Sequence, residues 1–467
     1  MRKTLPYLLA AALLFSAQNG WCQLLPLRVS ENSRHLETAD GKPFFWIGDT
    51  AWELFHRTTK AEAEVYFSKR AAQGFNVIQA VALAELDVLH VPNRNGDLPL
   101  RNGDPTQPNE PYFRYMDTLI DMAAAKGLYI ALLPTWGDKV FANTWGRGPE
   151  IFNPANAFVY GKWIGSRYRN RSNIVWVIGG DRDPREGSQD VAVWRALAAG
   201  VEEGVGGSAQ ALMTFHPQPE RIESSSSTWF HEDKWLDMNM LQTGHCDDTP
   251  VWQRMASDWM RQPVKPFLNG EAIYEAMPVC FDARNLGYAS AWDVRRAAYQ
   301  SVFAGACGHT YGSASVIFFS EKGEHIFSDL YRWQDALDLP AAGQMRHLKT
   351  LIESRPMPGR VPDPSLLADE GNNAYDHISA TRGEGYAFVY TSLGLPVTVN
   401  MGKISGKKIQ AAWFDPRSGK STVLGIFDNK GWQTFAPPYV WSPVPDHRTD
   451  LVLILDDIEK KYVLPGL

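Results

Sequence analysis

Cysteine is scarce in this sequence: the 467 residues contain 4 cysteines, and no two of them have the CxxC spacing of a metal or redox motif. Cys22 falls in an N-terminal segment that we expect to be removed, which leaves Cys246, Cys280 and Cys307. An odd count without paired spacing predicts neither a disulfide framework nor a zinc site. We therefore expect the hydrophobic core to stabilise the fold, with no metal and no other cofactor.

Long basic runs and long apolar runs are also missing. The chain carries 46 Lys and Arg against 52 Asp and Glu, a formal net charge of −6. This weakly acidic balance argues against nucleic acid or an anionic membrane surface as the main partner. Beyond the N-terminal segment no stretch of about 18 apolar residues occurs, so we expect no membrane span. The sequence does not indicate an oligomeric state.

The first 22 residues have the pattern of a secretory signal. Arg2 and Lys3 precede an apolar run at 5–15, which is too short to span a membrane, and small residues follow it. Cleavage after Cys22 would make residues 1–22 the signal peptide. Acylation of Cys22 is the weaker alternative, because Trp21 is a poor residue before a lipid-modified cysteine. The expected location is secreted, periplasmic or on the surface of a Gram-negative bacterium.

Eight short apolar runs alternate with amphipathic segments. Continuous apolar runs are typical of strands buried on both faces of a parallel sheet. The predicted strands are 44–49, 75–81, 128–134, 174–181, 212–216, 238–242, 266–271 and 309–312, and the predicted helices are 61–72, 112–126, 158–169, 191–203 and 292–304. This rhythm indicates an α/β fold, a (β/α)8 TIM barrel that we assign to residues 23–358. The rival, a doubly wound sheet, rarely needs eight strands.

The C-terminal part of the chain has a different pattern. A single helical stretch at 329–355 closes the barrel, and a proline-rich linker at 355–364 follows it. Beyond the linker, short alternating runs separated by turn residues predict strands at 385–392, 396–400, 410–415 and 450–456. We interpret residues 359–467 as an all-β sandwich domain.

Polar and aromatic residues follow most of the predicted barrel strands. Active sites of TIM barrels lie at the C-terminal ends of the strands, so these residues are candidates for substrate contact. They are Asp49, Trp52, Trp136, Asp138, Asp181, His216, His245, Glu271 and Tyr311. Asp181 and Glu271 end strands four and seven, which face each other across the barrel mouth. Two carboxylates in this placement suit cleavage of a glycosidic bond, and aromatic rings pack on the C–H faces of sugars.

Several of these assignments have alternatives. Asp183 would replace Asp181 if the fourth strand were shifted by two residues, and Asp138 is another rival acid. Asp49 is explained equally well as a buried acid or as a contact for a substrate hydroxyl. Trp136 is explained equally well as a ring that stacks on a sugar or as a packing residue at the rim of the barrel.

The histidines also have a second interpretation. His216 and His245 could ligate a metal together with His309, but the sequence has no HxH or HExxH spacing, so hydrogen bonding is the better assignment. Glu275, four residues beyond Glu271, is better explained as a loop residue, although it could hydrogen-bond sugar hydroxyls.

A family resemblance follows from five segments that are ordered along the barrel. They are 46–55 (WIGDTAWELF), 133–139 (LPTWGDK), 176–181 (WVIGGD), 214–217 (TFHP) and 269–271 (NGE). In these segments the chain resembles the apiosidase-like proteins of glycoside hydrolase family 140. Residues 413–419 (WFDPRSG) are similar to the domain that often follows in that family, labelled collagen-binding, although support of the barrel is the simpler role for it. The resemblance covers essentially the whole chain after the signal.

The resemblance implies a secreted hydrolase of plant cell-wall oligosaccharides or polysaccharides, acting on apiose-linked side chains of the pectin rhamnogalacturonan II. By position, Asp181 matches the family's acid/base and Glu271 its nucleophile, and the Gly-Gly pair before Asp181 would leave room for a ligand. Carboxylates on these strands normally lie about 5–5.5 Å apart, the separation for retention of configuration. The loops at 93–109 and 138–150, the latter with Trp145, are expected to shape the pocket and set the substrate.

Two alternatives stay open. A retaining glycosidase of the same barrel type could act on an arabinofuranoside or a β-galactoside. A non-catalytic adhesin or glycan-binding protein is less well supported, because both candidate catalytic acids are present.

Overall fold

A computed structural model describes residues 24–143, 145–219, 225–324, 326–438 and 449–467. The predicted signal, residues 1–22, lies outside these ranges. Within them, every helix is too short or too polar to traverse a bilayer.

The first large unit is built on eight parallel strands. Hydrogen bonds connect them in the order β5-β4-β3-β2-β1-β8-β7-β6. The sheet forms a nearly closed barrel, and β5 and β6 are its two edge strands. The strands are β1 Trp46–Thr50, β2 Val77–Leu83, β3 Tyr129–Thr135, β4 Ile174–Gly179, β5 Met213–His216, β6 Asn239–Gln242, β7 Phe267–Glu271 and β8 Gly308–Tyr311. Each coincides with a predicted strand to within a few residues, and the predicted TIM barrel is confirmed.

Helices follow most of the strands. The longer ones are α1 Lys60–Ala72, α2 Glu110–Ala125, α3 Pro154–Tyr168, α4 Asp190–Val205, α5 Val251–Trp259, α6 Ala291–Phe303 and α7 Pro340–Glu353. In the described part of the β5–β6 connection the helix is a single turn, Ser227–Phe230. The single helix predicted at 329–355 is wrong: a short helix at Trp333–Ala336 and α7 replace it. Pro340 occupies the first turn of α7 and disfavours helical backbone at the residue before it.

The C-terminal unit is formed by two antiparallel sheets, and the predicted sandwich class is confirmed. Six strands pair in the order β9-β10-β11-β16-β13-β14, and β12 pairs with β15. The strands are β9 Val361–Pro362, β10 Ile378–Gly383, β11 Tyr386–Thr391, β12 Val397–Asn400, β13 Lys408–Asp415, β14 Lys420–Asp428, β15 Trp432–Phe435 and β16 Leu451–Asp457. Val397 and Phe435 of the small sheet share one buried core with Trp413 and Leu453 of the large one.

The β-sandwich packs directly on the barrel. One hydrophobic cluster joins Val302 of α6 and Leu348 of α7 to Phe388 of β11. Within this contact, the guanidinium of Arg295 forms a buried ion pair of 2.6 Å with Asp450. The sandwich therefore supports α6 and α7, the helices that flank β8, and the two units share a core.

A buried ion pair also fixes the first strand. Asp49 of β1 accepts hydrogen bonds from Tyr66 (2.5 Å) and Arg70 (2.6 Å) of α1, and the side chains of Asp49 and Arg70 are fully buried. Charged groups are tolerated in such surroundings because they are paired and hydrogen-bonded. Asp49 therefore anchors α1 to the barrel.

Removing Arg70 while leaving Asp49 is expected to destabilise the protein strongly. Arg70→Met would leave a buried carboxylate without its cation, which lowers the free energy of unfolding by about 3–5 kcal/mol. Urea denaturation followed by tryptophan fluorescence measures the loss. Arg171→Met, which breaks a more exposed pair with Asp121, is the matched control and should cost less than about 1 kcal/mol. Equal losses in the two variants would contradict this role of Asp49.

Candidate active site

A cavity of about 320 Å³ opens at the C-terminal ends of the barrel strands. Three carboxylic acids, Glu85, Asp181 and Glu271, lie in its wall. The remaining lining is mainly aromatic and apolar, with two amides and one histidine: Trp52, Trp136, Trp145, Gln218, Pro219, Gln242, Gly244, His245, Tyr274, Phe281, Ile317, Phe318 and Phe327. A largely apolar pocket with a few convergent polar groups is the usual form of a small-molecule site.

Glu271, the last residue of β7, lies between two histidines. Nε2 of His216, at the end of β5, is 3.1 Å from one carboxylate oxygen. Nε2 of His245, which follows β6, is 3.2 Å from the other. Both oxygens of Glu271 therefore face imidazole nitrogens, which favours the ionised carboxylate.

His216 connects the two candidate catalytic residues. Its Nδ1 accepts a hydrogen bond of 3.3 Å from the backbone N–H of Asp181. A ring nitrogen that accepts is unprotonated, so in the neutral ring the proton is on Nε2, which faces Glu271. The backbone of Asp181 thus sets the tautomer of the imidazole beside Glu271.

Asp181 follows β4 in an unusual backbone conformation. Its φ of 50° is in the left-handed region, which few residues other than glycine adopt and which is enriched at functional sites. The indole N–H of Trp145 donates to Oδ2, and the side-chain amide of Gln242, oriented with its nitrogen inward, donates to Oδ1 over 2.9 Å. A guanidinium nitrogen of Arg182 is 3.6 Å from Oδ2. The carboxyl group is therefore held from three sides.

The surroundings displace the pKa values of the two acids in opposite directions. Burial and then the negative charge of Glu271 raise the pKa of Asp181 well above its usual range, and the contacts with Arg182, Trp145 and Gln242 offset this only in part. Burial acts against charge on Glu271 as well, but its contacts with His216 and His245 outweigh burial and lower its pKa. The two shifts favour a protonated Asp181 beside an ionised Glu271, which is the division of roles for general-acid and nucleophilic catalysis.

Aromatic rings form much of the cavity wall. Trp52 and Trp136 lie against each other with ring centroids 4.9 Å apart, and Trp52 also meets the edge of His216 at 5.4 Å. On the other side the ring of His245 lies 4.7 Å from Tyr274 and 5.5 Å from Phe281. These contacts fix both histidines that face Glu271, and they leave flat apolar surfaces toward the cavity.

The glycines before Asp181 have a different role from the one expected. A Cβ on Gly180 would lie 2.7 Å from the Trp136 ring, and a Cβ on Gly179 would lie 2.4 Å from the ring of Phe215. The missing side chains therefore make room for the protein's own aromatic rings. The expectation that this space accommodates a ligand is corrected.

Besides His216, three of the predicted substrate contacts lie outside the cavity lining. Asp49 is bound by α1, as described above. Asp138 is paired with Lys139 at 2.8 Å and accepts hydrogen bonds from the backbone N–H groups of Arg147 and Gly148. Tyr311 donates to Glu275 over 2.7 Å. These contacts assign the three residues to support of the site, and direct substrate contact by them stays a prediction.

The rival acids likewise have structural partners. Asp183 accepts a hydrogen bond of 2.9 Å from the backbone N–H of Gln218. Glu275 accepts from Tyr311 and from the backbone N–H of Ala341 at the start of α7. Trp52, Trp136 and His245 do line the cavity, and His216 reaches it through Glu271.

Sequence reasoning missed several lining residues. The sequence predicts that β2 ends at 81 and so does not indicate Glu85, whereas the strand continues to Leu83 and brings Glu85 to the mouth. The sequence places Gln242 within a buried strand. Phe281, Phe318 and Phe327 come from loops in which no periodic pattern exists to predict orientation.

The expectation of no disulfide is wrong. Cys246 and Cys280 are joined, which connects the loop after β6 to the loop after β7. Their neighbours His245 and Phe281 both line the cavity, and the backbone N–H of Cys280 donates to the carbonyl of His245 over 2.9 Å. Among the described residues, Asp248 with these two cysteines is the cluster with metal-ligand spacing, and the disulfide occupies both of its sulfurs.

Comparisons with known proteins extend over nearly the whole chain. A family model described as the catalytic domain of apiosidase-like proteins matches residues 30–358, and one whose name describes a collagen-binding domain of a collagenase matches 361–456. A solved structure titled a glycoside hydrolase is 35% identical, covering 94% of this chain and 98% of its own, with a TM-score of 0.84. A glycoside hydrolase family 5 structure from Bacteroides vulgatus ATCC 8482 is 33% identical, covering 94% and 96%, with the same TM-score. No curated protein matches the sequence.

Proposed function

Since this chain belongs to the apiosidase-like family and is a glycoside hydrolase, we propose that it releases apiosyl residues from plant pectin of the rhamnogalacturonan II type by a retaining mechanism. The observation that carries the mechanism is that Asp181 and Glu271 line one cavity at the C-terminal ends of the strands, with both oxygens of Glu271 facing histidine nitrogens. The opposite directions of their pKa shifts agree with it. The substrate part of the proposal is supported by the family description of residues 30–358.

The proposed reaction has two steps. The Glu271 carboxylate attacks the anomeric carbon while Asp181 gives its proton to the leaving glycosidic oxygen, so the C–O bond breaks and a covalent glycosyl-enzyme forms. Asp181, now ionised, takes a proton from a water molecule that attacks the same carbon and releases Glu271. His216 and His245 are positioning residues that keep Glu271 charged, and the indole of Trp145 orients Asp181.

The cavity wall supports a sugar as the ligand. Its indole and phenyl rings offer flat apolar surfaces, while the carboxyl groups and the amide of Gln218 lie among them. A sugar ring presents C–H faces to the former and hydroxyl groups to the latter. The loop at 138–150 contributes Trp145, in line with its expected part in shaping the pocket.

A panel of substrates tests the proposal. Purified enzyme is incubated with apiose-containing pectin oligosaccharides and with aryl apiosides, arabinofuranosides and β-galactosides, and the released sugars are quantified. We expect the apiosyl substrates to have the highest kcat/KM. A higher value for an arabinofuranoside or a galactoside would reassign the substrate and leave the two-acid mechanism in place.

The stereochemical proposal has its own measurement. Proton NMR during the first turnovers distinguishes the anomer that is formed from the one produced later by mutarotation. We expect the product anomer to have the configuration of the substrate. An inverted product would remove the nucleophilic role of Glu271 and make it a general base instead.

We also propose that the protein is exported. The N-terminal residues 1–22 have the composition of a signal peptide, and disulfides such as Cys246–Cys280 persist in oxidising compartments. Mass spectrometry of the protein from its native host should find Gln23 as the first residue. A chain that retains Met1 and stays in the cytosol would contradict export.

A further inference from the structure

Glu85 is a third acid of the active-site cavity, and the mechanism above does not use it. It lies two residues beyond the end of β2, lines the cavity, and is 6% exposed. Burial raises its pKa well above the usual range, and the charges of Asp181, Asp138 and Glu53 act in the same direction. Arg182 offsets them only in part. Together these effects favour the protonated form of Glu85.

The neighbouring acids have partners within the protein. Glu53 lies 2.6 Å from the Nδ1 atom of His56 and accepts from the backbone N–H of Leu86. Asp138 is paired with Lys139. The carboxyl group of Glu85 receives no hydrogen bond from any residue that the structure describes. Glu85 is 6% exposed and lines the cavity, so a ligand that fills the cavity would displace water from the carboxyl group. An unpartnered polar group buried in this way would cost about 1–3 kcal/mol.

A sugar hydroxyl would supply the missing partner. A protonated carboxyl group has one O–H to donate and a carbonyl oxygen to accept, and a hydroxyl group can do both in return. Glu85 lines the same cavity as Asp181 and Glu271, so a hydroxyl bound by Glu85 belongs to a sugar held in that cavity.

We propose that Glu85 is a substrate-binding residue that recognises one hydroxyl group of the sugar held in the active-site cavity. The proposal rests on the glycosidase function proposed above and adds a specificity-determining contact to it. A site built to hydrogen-bond a hydroxyl discriminates strongly against the analogue that lacks it, because its own polar group is then left unpaired.

Kinetics with deoxygenated substrates test this assignment. The wild type, Glu85→Gln and Glu85→Ala are compared on an aryl glycoside that the enzyme accepts and on the set of its monodeoxy analogues. Glu85→Ala should lower kcat/KM about 10- to 100-fold on the parent substrate. In the wild type, kcat/KM should be lower on several analogues than on the parent substrate. For the analogue that lacks the hydroxyl bound by Glu85, this difference should disappear in Glu85→Ala. An equal penalty in both enzymes for every analogue would overturn the proposal.

Stability separates recognition from a structural role. Because the Glu85 side chain has no hydrogen-bond partner among the described residues and lies among negative charges, Glu85→Gln should melt no lower than the wild type. Loss of thermal stability together with activity would show that Glu85 supports the fold and would overturn the proposal. Glu186→Gln, an exposed acid in the loop after β4, is the matched control and should change neither property.

A pH profile gives a further readout that a structural role would not produce. The groups that face Glu85 or share its cavity are Asp181, Asp138, Glu53, Arg182, Glu271 and His245. Any fraction of Glu85 that ionises at high pH adds negative charge beside Asp181. Glu85→Gln removes this charge, so the alkaline limb of kcat/KM, which reports Asp181, should move to lower pH. The size of the shift reports the ionised fraction of Glu85, and a limb that moves to higher pH would contradict the electrostatic contact between these two acids.

Binding measurements make the two proposals fail in different ways. Calorimetry with Glu271→Gln, alone and combined with Glu85→Ala, measures the affinity for the same glycosides without turnover. If the wild type hydrolyses none of the glycosides but binding weakens when Glu85 is replaced, the proposed reaction is wrong and recognition by Glu85 is supported. If the wild type hydrolyses a glycoside but neither hydrolysis nor binding changes when Glu85 is replaced, the proposed reaction stands and recognition by Glu85 is wrong. If none of the glycosides binds, both proposals fall.

Discussion

Glu271→Ala should lower kcat/KM by about 10⁴-fold or more on every accepted substrate, because no group remains to attack the anomeric carbon. The two histidines would still be in place, and the small cavity left by the carboxylate would be open to an external anion. Azide should therefore restore turnover and give a glycosyl azide with the configuration opposite to that of the substrate. Its formation is followed by NMR.

The matched control for this variant is Glu275→Gln. Glu275 lies four residues further along but is bound by Tyr311 and by the backbone of Ala341, and glutamine keeps an acceptor for these groups. We expect activity within about tenfold of the wild type and no response to azide. Full activity in Glu271→Ala, or azide rescue in the control, would remove the assigned nucleophile.

Asp181→Ala should show a loss that depends on the leaving group. Proton donation contributes about 10²–10⁴-fold when the leaving oxygen is basic, as in a sugar, and little when it is a dinitrophenolate that departs without a proton. The ratio of kcat/KM for the two kinds of substrate should therefore change by about 10²-fold or more relative to the wild type. A uniform loss on both would show that Asp181 only maintains the structure.

The pH dependence follows from the signs of the two shifts. Activity requires Glu271 ionised, hence a pH above its lowered pKa, and Asp181 protonated, hence a pH below its raised pKa. The shifts move the two limits apart and should give a broad plateau whose alkaline limb disappears in Asp181→Ala. The apparent pKa values of the two limbs belong to the pair of acids and not to either residue alone, because the charge on each acid affects the pKa of the other. A profile that keeps its alkaline limb in the variant would assign that limb to another group.

Asp183→Asn is the control that decides the register of β4. Asp183 accepts a backbone hydrogen bond from Gln218, which asparagine can keep, so the fold and the kinetics should be nearly unchanged. If this variant instead reproduces the leaving-group dependence described for Asp181, the proton donor is two residues further along the chain.

The barrel and its two candidate catalytic acids could be predicted because they depend on local pattern. A strand buried on both faces must be a largely continuous apolar run, and polar residues mark its C-terminal end, as Asp181 does after β4 and Asn269 and Glu271 do in β7. Parallel connectivity then brings these ends to the same face without knowledge of any side-chain contact.

The remainder of the site depends on contacts between distant parts of the chain. Asp49 and Tyr311 lie at or next to strand ends, as Glu271 does, yet Arg70 and Glu275 bind them, and no spacing in the sequence predicts those partners. Nor does spacing pair Cys246 with Cys280, because the folded loops bring them together. A polar residue at a strand end can thus serve the substrate or the protein, and only its neighbours decide which.

The Cys246–Cys280 bond closes a covalent loop whose ends are 34 positions apart, and α5, β7 and Glu271 all lie inside it. In the unfolded chain such a closure removes about 3–4 kcal/mol of conformational entropy under the chain-entropy account. It also changes what a protease can achieve. A single cut anywhere between the two cysteines leaves the fragments joined, so the strand with Glu271 cannot separate from the loop with His245. After one such cut, this strand and this loop come apart only if the disulfide is also reduced.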